Sequence, residues 1–264
     1  MSNPDLIRSY WRDFIDGSHI LHHQGVVDAY GHLSFRHPLK SGVFVMSRNI
    51  APATISLPDD LVEYWIANAE PLDPNSASGY AERHIHSEIY KRHANINAVV
   101  HSHSDAVIPY TIMSVALRAC YHMAGFLGAE GVPVYNITEY LEQGDLRDML
   151  VRNEHLGNAL ARFFDDGNSV TLMRGHGFTT VGDSIQQAVL QAVYTQHNAA
   201  IQTAALTIGA SSASMTPRAA PSSIQYLTKE EAQAAADMTK WSSGRPWKLW
   251  TREVEASGLY VNSA

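Results

Sequence analysis

Three features of the 264-residue sequence point to an α/β architecture. Helical and extended patterns alternate along the chain instead of separating into blocks. Hydrophobic residues make up 45% and charged residues 17%, which gives material for one large core and too little charge for a disordered chain. No internal repeat and no clean linker divides the pattern. Residues 1–264 therefore read as a single domain, with 210–264 as a C-terminal loop and helical extension.

The elements follow in order. Leu6, Ile7, Tyr10, Trp11, Phe14 and Ile15 recur at helical spacing over residues 5–18, and Gly17 reads as a stop. Residues 24–36 form a glycine-punctuated loop that leads into a strand. Residues 42–47 are a short strand, 58–67 the start of a helix, and 71–79 a turn-rich loop. Residues 81–93 suit a helix. Asn95 and Asn97 break it, and the segment from Ala98 to His103 is strand-like. Residues 130–137 and 168–173 are further strands bounded by Gly, Asn and Asp. A long Ala/Gln-rich helix occupies 184–207 and ends before Gly209. Residues 210–223, rich in Ser, Ala and Pro, are expected as a mobile loop. Thr228 and Glu231 form a capping box that opens a helix to about Trp241. Pro246 opens a last amphipathic helix carrying Trp247, Leu249, Trp250 and Val254.

Composition excludes several functions. The net charge of −7, from 19 Lys+Arg against 26 Asp+Glu, is wrong for nucleic acid or an anionic membrane, where clustered cations supply the affinity. Cys120 stands alone, so no intrachain disulfide is available. The opening residues carry neither a basic region nor an apolar run, and the apolar stretch 106–117 falls short of the about 20 residues a membrane span needs. A soluble, cytoplasmic protein is expected. The unusual count is 14 histidines, which suggests metal or proton chemistry, because imidazole titrates near neutrality and is the commonest metal ligand.

Two His-x-His pairs occur. His84 and His86 lie in a helical segment, where residues two apart diverge. His101 and His103 lie in a strand pattern, where residues two apart share a face and can chelate one ion. Two ordinary polar residues at a strand end would look the same. His176 sits in a Gly-His-Gly turn after an apolar strand, where flanking glycines leave the imidazole accessible. It can complete a three-histidine set with an open coordination position, as catalytic metals require. Glu82 shares a helix face with His86 and Tyr90 at i, i+4 and i+8, and a carboxylate beside a metal can serve as ligand or acid/base.

Four segments together resemble the class II aldolase/adducin family, the group of fuculose phosphate aldolase and ribulose phosphate 4-epimerase. They are residues 31–36 (Gly-His-Leu-Ser-Phe-Arg), Glu82 with His86 and Tyr90, residues 98–103 (Ala-Val-Val-His-Ser-His), and residues 175–177 (Gly-His-Gly). The resemblance covers roughly residues 5–207. It implies a three-layer α/β/α fold around a mainly antiparallel sheet. It also implies a divalent metal on His101, His103 and His176, usually zinc, with manganese or iron as alternatives, and Glu82 as acid/base. Members are commonly homotetramers with the site at a subunit interface. Adducin-like members lack the metal histidines, so retention of all three favours the catalytic branch.

The departures from the family pattern concern substrate. The sugar-phosphate members carry a Gly-Asn-x-Ser loop and two serines before the glutamate, which cradle phosphate. Here those positions are His32, Tyr80 and Ala81, so a phosphate loses donors and space. His122 falls near the position of a catalytic tyrosine and is a second acid/base candidate. Ser34 and Ser47 are candidate hydroxyl donors at the old phosphate position, Tyr80 lines it, and Arg36, Arg48, Arg83 and Arg174 are candidate carboxylate clamps. The tail from Arg245 to Glu255 resembles a decarboxylase-like branch. The expected activity is a metal-dependent carbon–carbon lyase, a decarboxylase of a non-phosphorylated hydroxy-aromatic or keto carboxylic acid. The alternatives are an aldolase or epimerase, an iron-dependent oxidative decarboxylase, and an adducin-like interaction module.

Overall fold

The computed structural model describes residues 2–215 and 224–264. Seven strands form one sheet: β1 (His32–Arg36), β2 (Val43–Ser47), β3 (Leu61–Trp65), β4 (Ala98–Ser102), β5 (Val134–Tyr135), β6 (Val170–Met173) and β7 (Gly177–Gly182). Their order is β3-β2-β1-β4-β7-β6-β5, and every pair is antiparallel except β5 with β6. Seven α-helices accompany it among the described residues: α1 (Asn3–His23), α2 (Arg83–Arg92), α3 (Ile108–Ile112), α4 (Glu154–Ala161), α5 (Ile185–Met215), α6 (Lys229–Ser242) and α7 (Gly244–Ser257).

The strand alternation builds two apolar cores, one on each face of the sheet. Leu33, Phe35, Val100, Leu172 and Phe178 point to the side of α1, α5 and α7, where they meet Phe14, Ile15, Val189, Val193 and Trp250. Phe44, Met46, Val99, Met173 and Val181 point the other way, to Ile85 and Ile89 of α2 and Leu156 and Leu160 of α4. Each such side chain stabilises the fold by about 1.5–3 kcal/mol on burial. The expected three layers around a mainly antiparallel sheet are therefore present.

Several boundaries differ from the sequence expectation. Gly17 does not stop α1; it lies inside the helix, where a Cβ would stand 3.0 Å from Leu33 Cδ2 and 3.2 Å from Ile185 Cγ2. The glycine lets α1 approach the sheet closely, at the usual helix cost of about 1 kcal/mol. The helix expected from Pro58 is a single 3-10 turn, Pro58–Asp60, followed by β3, in which Val62 and Tyr64 alternate into the core. α5 runs through Gly209 to Met215, so residues 210–215 of the expected loop are helical, and residues 216–223 lie outside the described part. The capping box of α6 forms as read, with Thr228 Oγ1 accepting from Glu231 N–H and the Glu231 carboxylate accepting from Thr228 N–H. Among the described residues no helix is long and apolar enough to cross a membrane.

Candidate metal centre

The site lies at one end of the three central strands. β4 carries His101 at its end and His103 just beyond it. β6 ends at Met173, and the tight turn through Gly175 and His176 starts β7. Gly175 takes a φ of +64°, the left-handed region. Gly177 must be glycine for a different reason: a Cβ there would lie 2.0 Å from the Ser102 carbonyl oxygen and 3.0 Å from the His103 Cα. That close approach presses the His176 turn against the His101–His103 strand.

Three imidazoles consequently face one point. His101 Nε2 is 3.0 Å from His103 Nε2 and 3.3 Å from His176 Nε2, and the last two are 3.0 Å apart. Glu82, at the N-terminus of α2, places Oε2 3.6 Å from His101 Nε2 and 3.5 Å from His176 Nε2. The other Glu82 oxygen, Oε1, accepts a hydrogen bond of 3.0 Å from Val151 N–H. All four ligand atoms lie within 4.8 Å of one another.

This donor set fits a divalent ion. Three nitrogens at about 2.0–2.1 Å from one ion stand about 2.9 Å apart on an octahedral face and about 3.3 Å apart in a tetrahedron. The observed separations span the same range. Mutual hydrogen bonding does not account for the triangle, since three nitrogens facing one centre cannot all be donor and acceptor to each other. Burial, then the neighbouring imidazoles, lowers the pKa of His101 and of His103, so both favour the neutral form that ligates. Burial also opposes charge on His176, but the Glu82 carboxylate, together with the Met149 backbone and Asp148, outweighs it and raises the His176 pKa. His101 Nδ1 lies 3.2 Å from Thr179 Oγ1, its partner across the β4–β7 ladder, which orients the ring from behind.

The other residues singled out from sequence are placed as follows. Both His86 ring nitrogens are engaged away from Glu82: Nε2 is 2.7 Å from His32 Nδ1 and Nδ1 2.6 Å from Ser34 Oγ. Ser34 is fully occupied below the site by His86 and by the Tyr90 hydroxyl at 2.7 Å. Arg36 is no free clamp: its guanidinium donates to the carbonyls of Tyr90, His93 and Ile96 and so ties the end of α2 to the sheet. The Tyr80 hydroxyl donates to the Ile50 carbonyl and is 3.1 Å from Ser47 Oγ, so Tyr80 presents its ring, 4.8 Å from that of His32. Arg48 is held by Asp60, and Arg83 by the Ala69 and Tyr80 carbonyls. Arg174 donates to the Asn136 side chain.

His122 is exposed and opens a 3-10 turn packed against α6; its ring meets Tyr121, and among the described residues nothing joins it to the metal cluster. Sequence reading missed Thr179 and the segment 148–152. That segment supplies the Val151 N–H and turns at Met149, whose φ of 69° is unusual for a side-chain-bearing residue. The pairing of Thr179 with His101 becomes predictable only once the ladder register is known.

Residues 12–203 match the family model of the class II aldolase and adducin N-terminal domain. A protein named decarboxylase tropJ from Talaromyces stipitatus is 48% identical over 260 residues, covering 96% of this chain and 97% of that protein. The 3,4-dihydroxyphthalate decarboxylase of Arthrobacter keyseri is 31% identical over 188 residues, covering 66% of this chain and 69% of the relative. Among solved structures, an aldolase II superfamily protein of Pseudomonas syringae superposes with a TM-score of 0.72 at 21% identity, over 96% of this chain and 94% of the other. The L-fuculose 1-phosphate aldolase of Glaciozyma antarctica gives a TM-score of 0.69 at 16% identity, over 97% and 92%. Those two likenesses speak to the fold. The chain belongs to the class II aldolase/adducin family and is an enzyme of the lyase class.

Proposed function

We propose that the protein is a metal-dependent decarboxylase acting on a non-phosphorylated hydroxy-aromatic or keto carboxylic acid. The observation that carries the reading is the convergence of His101, His103 and His176 with the Glu82 carboxylate beside them. His101, His103 and His176 would hold the ion, and neutral imidazoles with one carboxylate favour zinc over harder ions. Bound there, a divalent cation supplies Lewis acidity that lowers the cost of negative charge on a substrate oxygen.

The remaining work falls to the chain. Val151 N–H fixes one Glu82 oxygen, so the second is aimed at the space above the imidazoles. In the reaction the carbon–carboxylate bond breaks, CO₂ leaves, and the electron pair stays on the substrate. The Glu82 carboxylate takes up a proton from a substrate hydroxyl or from water, and Oε2 delivers it to the carbon that lost CO₂. Tyr80 and His32 form a ring-lined wall in place of small hydroxyl donors, which favours a flat conjugated acid over a phosphate. The two sequence relatives named above, from Talaromyces stipitatus and Arthrobacter keyseri, are both named decarboxylases, which supports this branch over the aldolase one.

The same reading includes a homotetramer with sites between subunits. His122 is exposed and unengaged at its imidazole nitrogens among the described residues, and so is available to a neighbouring subunit's site as a second acid/base. Exposed Ile112, Met113 and Leu146 offer apolar surface for such an interface.

The test is CO₂ release from a panel of hydroxylated aromatic and keto acids by zinc-, manganese- and iron-loaded protein under anaerobic conditions. Metal-dependent CO₂ release supports the reading. Aldehyde release without CO₂ would make the protein an aldolase, and a strict requirement for oxygen would make it an oxidative enzyme.

A further inference from the structure

β1 and α2 together build a buried hydrogen-bonded chain under the metal centre. His32 and Ser34, two apart on β1, share one sheet face, and His86 and Tyr90, one turn apart on α2, lie against them. The chain runs from Tyr90 Oη to Ser34 Oγ (2.7 Å), from Ser34 Oγ to His86 Nδ1 (2.6 Å), and from His86 Nε2 to His32 Nδ1 (2.7 Å). All four residues are buried. His32 ends it directly across the ladder from His101, with their rings 5.0 Å apart.

Proton counting sets the direction of this chain. Each link holds one hydrogen. If His32 donated to His86, then His86 would donate to Ser34 and Ser34 to Tyr90. The Tyr90 hydroxyl hydrogen would then have no acceptor among the described residues, a penalty of one buried unpaired donor. In the opposite direction Tyr90 donates to Ser34, Ser34 to His86 and His86 to His32. Every internal hydrogen is accepted, and His32 keeps a single N–H, on Nε2. Among the described residues that nitrogen makes no hydrogen bond, and its ring lies beside that of His101.

We propose that His32 presents its Nε2–H to a second acidic oxygen of the substrate, a carboxylate or phenol oxygen beside the carboxylate that departs. Tyr90, Ser34 and His86 act as positioning residues that fix its tautomer. The inference rests on the decarboxylase reading above and narrows its substrate class to aromatic acids bearing a second acidic oxygen.

The experiment uses zinc-loaded protein and three non-reacting probes: phthalate, salicylate and benzoate. In His32→Asn the amide reaches the place of Nδ1 and the Nε2 donor is lost; in His32→Gln the amide nitrogen reaches the place of Nε2. Calorimetric titration should show His32→Asn weakening phthalate, salicylate or both by about ten- to hundredfold. Benzoate affinity and zinc content should stay unchanged, and His32→Gln should recover most of the loss. Loss for phthalate alone assigns the donor to a carboxylate, and loss for salicylate alone to a phenol oxygen. Equal affinity of wild type and His32→Asn for both probes would overturn the inference, as would equal loss for all three probes. ¹⁵N imidazole spectra should show His32 protonated on Nε2, and protonation on Nδ1 would refute the chain direction. A zinc-loaded wild type that binds none of the probes would refute the acid-substrate reading itself, whereas failure confined to the variants refutes only the role of His32.

Discussion

Gly177→Ala should disable the proposed metal centre without replacing any of its histidines. The added methyl would sit 2.0 Å from the Ser102 carbonyl oxygen, 2.9 Å from its carbon and 3.0 Å from His103 Cα. All three neighbours are backbone atoms of or just after β4, a central strand paired on both sides, so none can swing away. Relief of the overlap requires β7 to withdraw by roughly 1 Å, since carbon contacts settle at about 3.5–4.0 Å. His176 immediately precedes that strand, so its 3.0 Å approach to His103 Nε2 opens by a similar amount. Metal–ligand distances tolerate about 0.2 Å, so a shift of this size removes one ligand in three. We expect zinc affinity to fall at least ten- to hundredfold and stability to drop by about 2–3 kcal/mol, the upper end for overpacking against backbone. Competitive zinc titration and urea unfolding of the metal-free protein measure the two effects separately. A variant within about 0.5 kcal/mol of wild type that keeps full zinc affinity would refute the claim that this contact sets the site.

Three further outcomes are expected. Glu82→Gln should retain most of the zinc, because three imidazoles remain, yet lose CO₂ release by about 10²-fold or more; unchanged turnover would remove Glu82 from proton transfer. Burial, aided by the Arg83 charge, depresses the His84 pKa to about 4, and burial depresses that of His86 to about 3. Both stay below the unfolded value of about 6.5, so the unfolded chain binds more protons in between. Stability should be fully present above pH ~6.5 and fall as the pH drops, by up to about 1.4 kcal/mol per pH unit for each histidine. Urea midpoints between pH 7 and 4 should show this slope, made shallower in His84→Gln. Thr228→Ala removes the cap that opens α6 and should cost about 1 kcal/mol, read by thermal unfolding; no change would mean that packing alone holds that helix.

The histidine cluster is legible because its signals are local. A period-two pattern put His101 and His103 on one face, and glycines flanking His176 marked a turn. Glu82, His86 and Tyr90 were grouped by helical spacing, but the group divides in space. Glu82 sits at the helix N-terminus and turns to the histidine cluster, while His86 and Tyr90 turn down to Ser34. Arg36 shows the limit of reading charge as function, since a guanidinium near a site can equally serve three backbone carbonyls. β3 was missed because Pro58 and two aspartates imitate a helix start, and β7 because glycines bound it at both ends. The grip of Val151 on Glu82 bridges residues 69 apart in sequence, and no local pattern encodes it.

The most direct test is zinc stoichiometry by calorimetric titration of chelator-stripped protein, with His101→Ala and His176→Ala beside the wild type. One zinc per chain, with affinity collapsing in both variants while their folded spectra persist, is the predicted result. Absence of a stoichiometric site in the wild type, or undiminished binding in the variants, would contradict a metal centre built from these histidines.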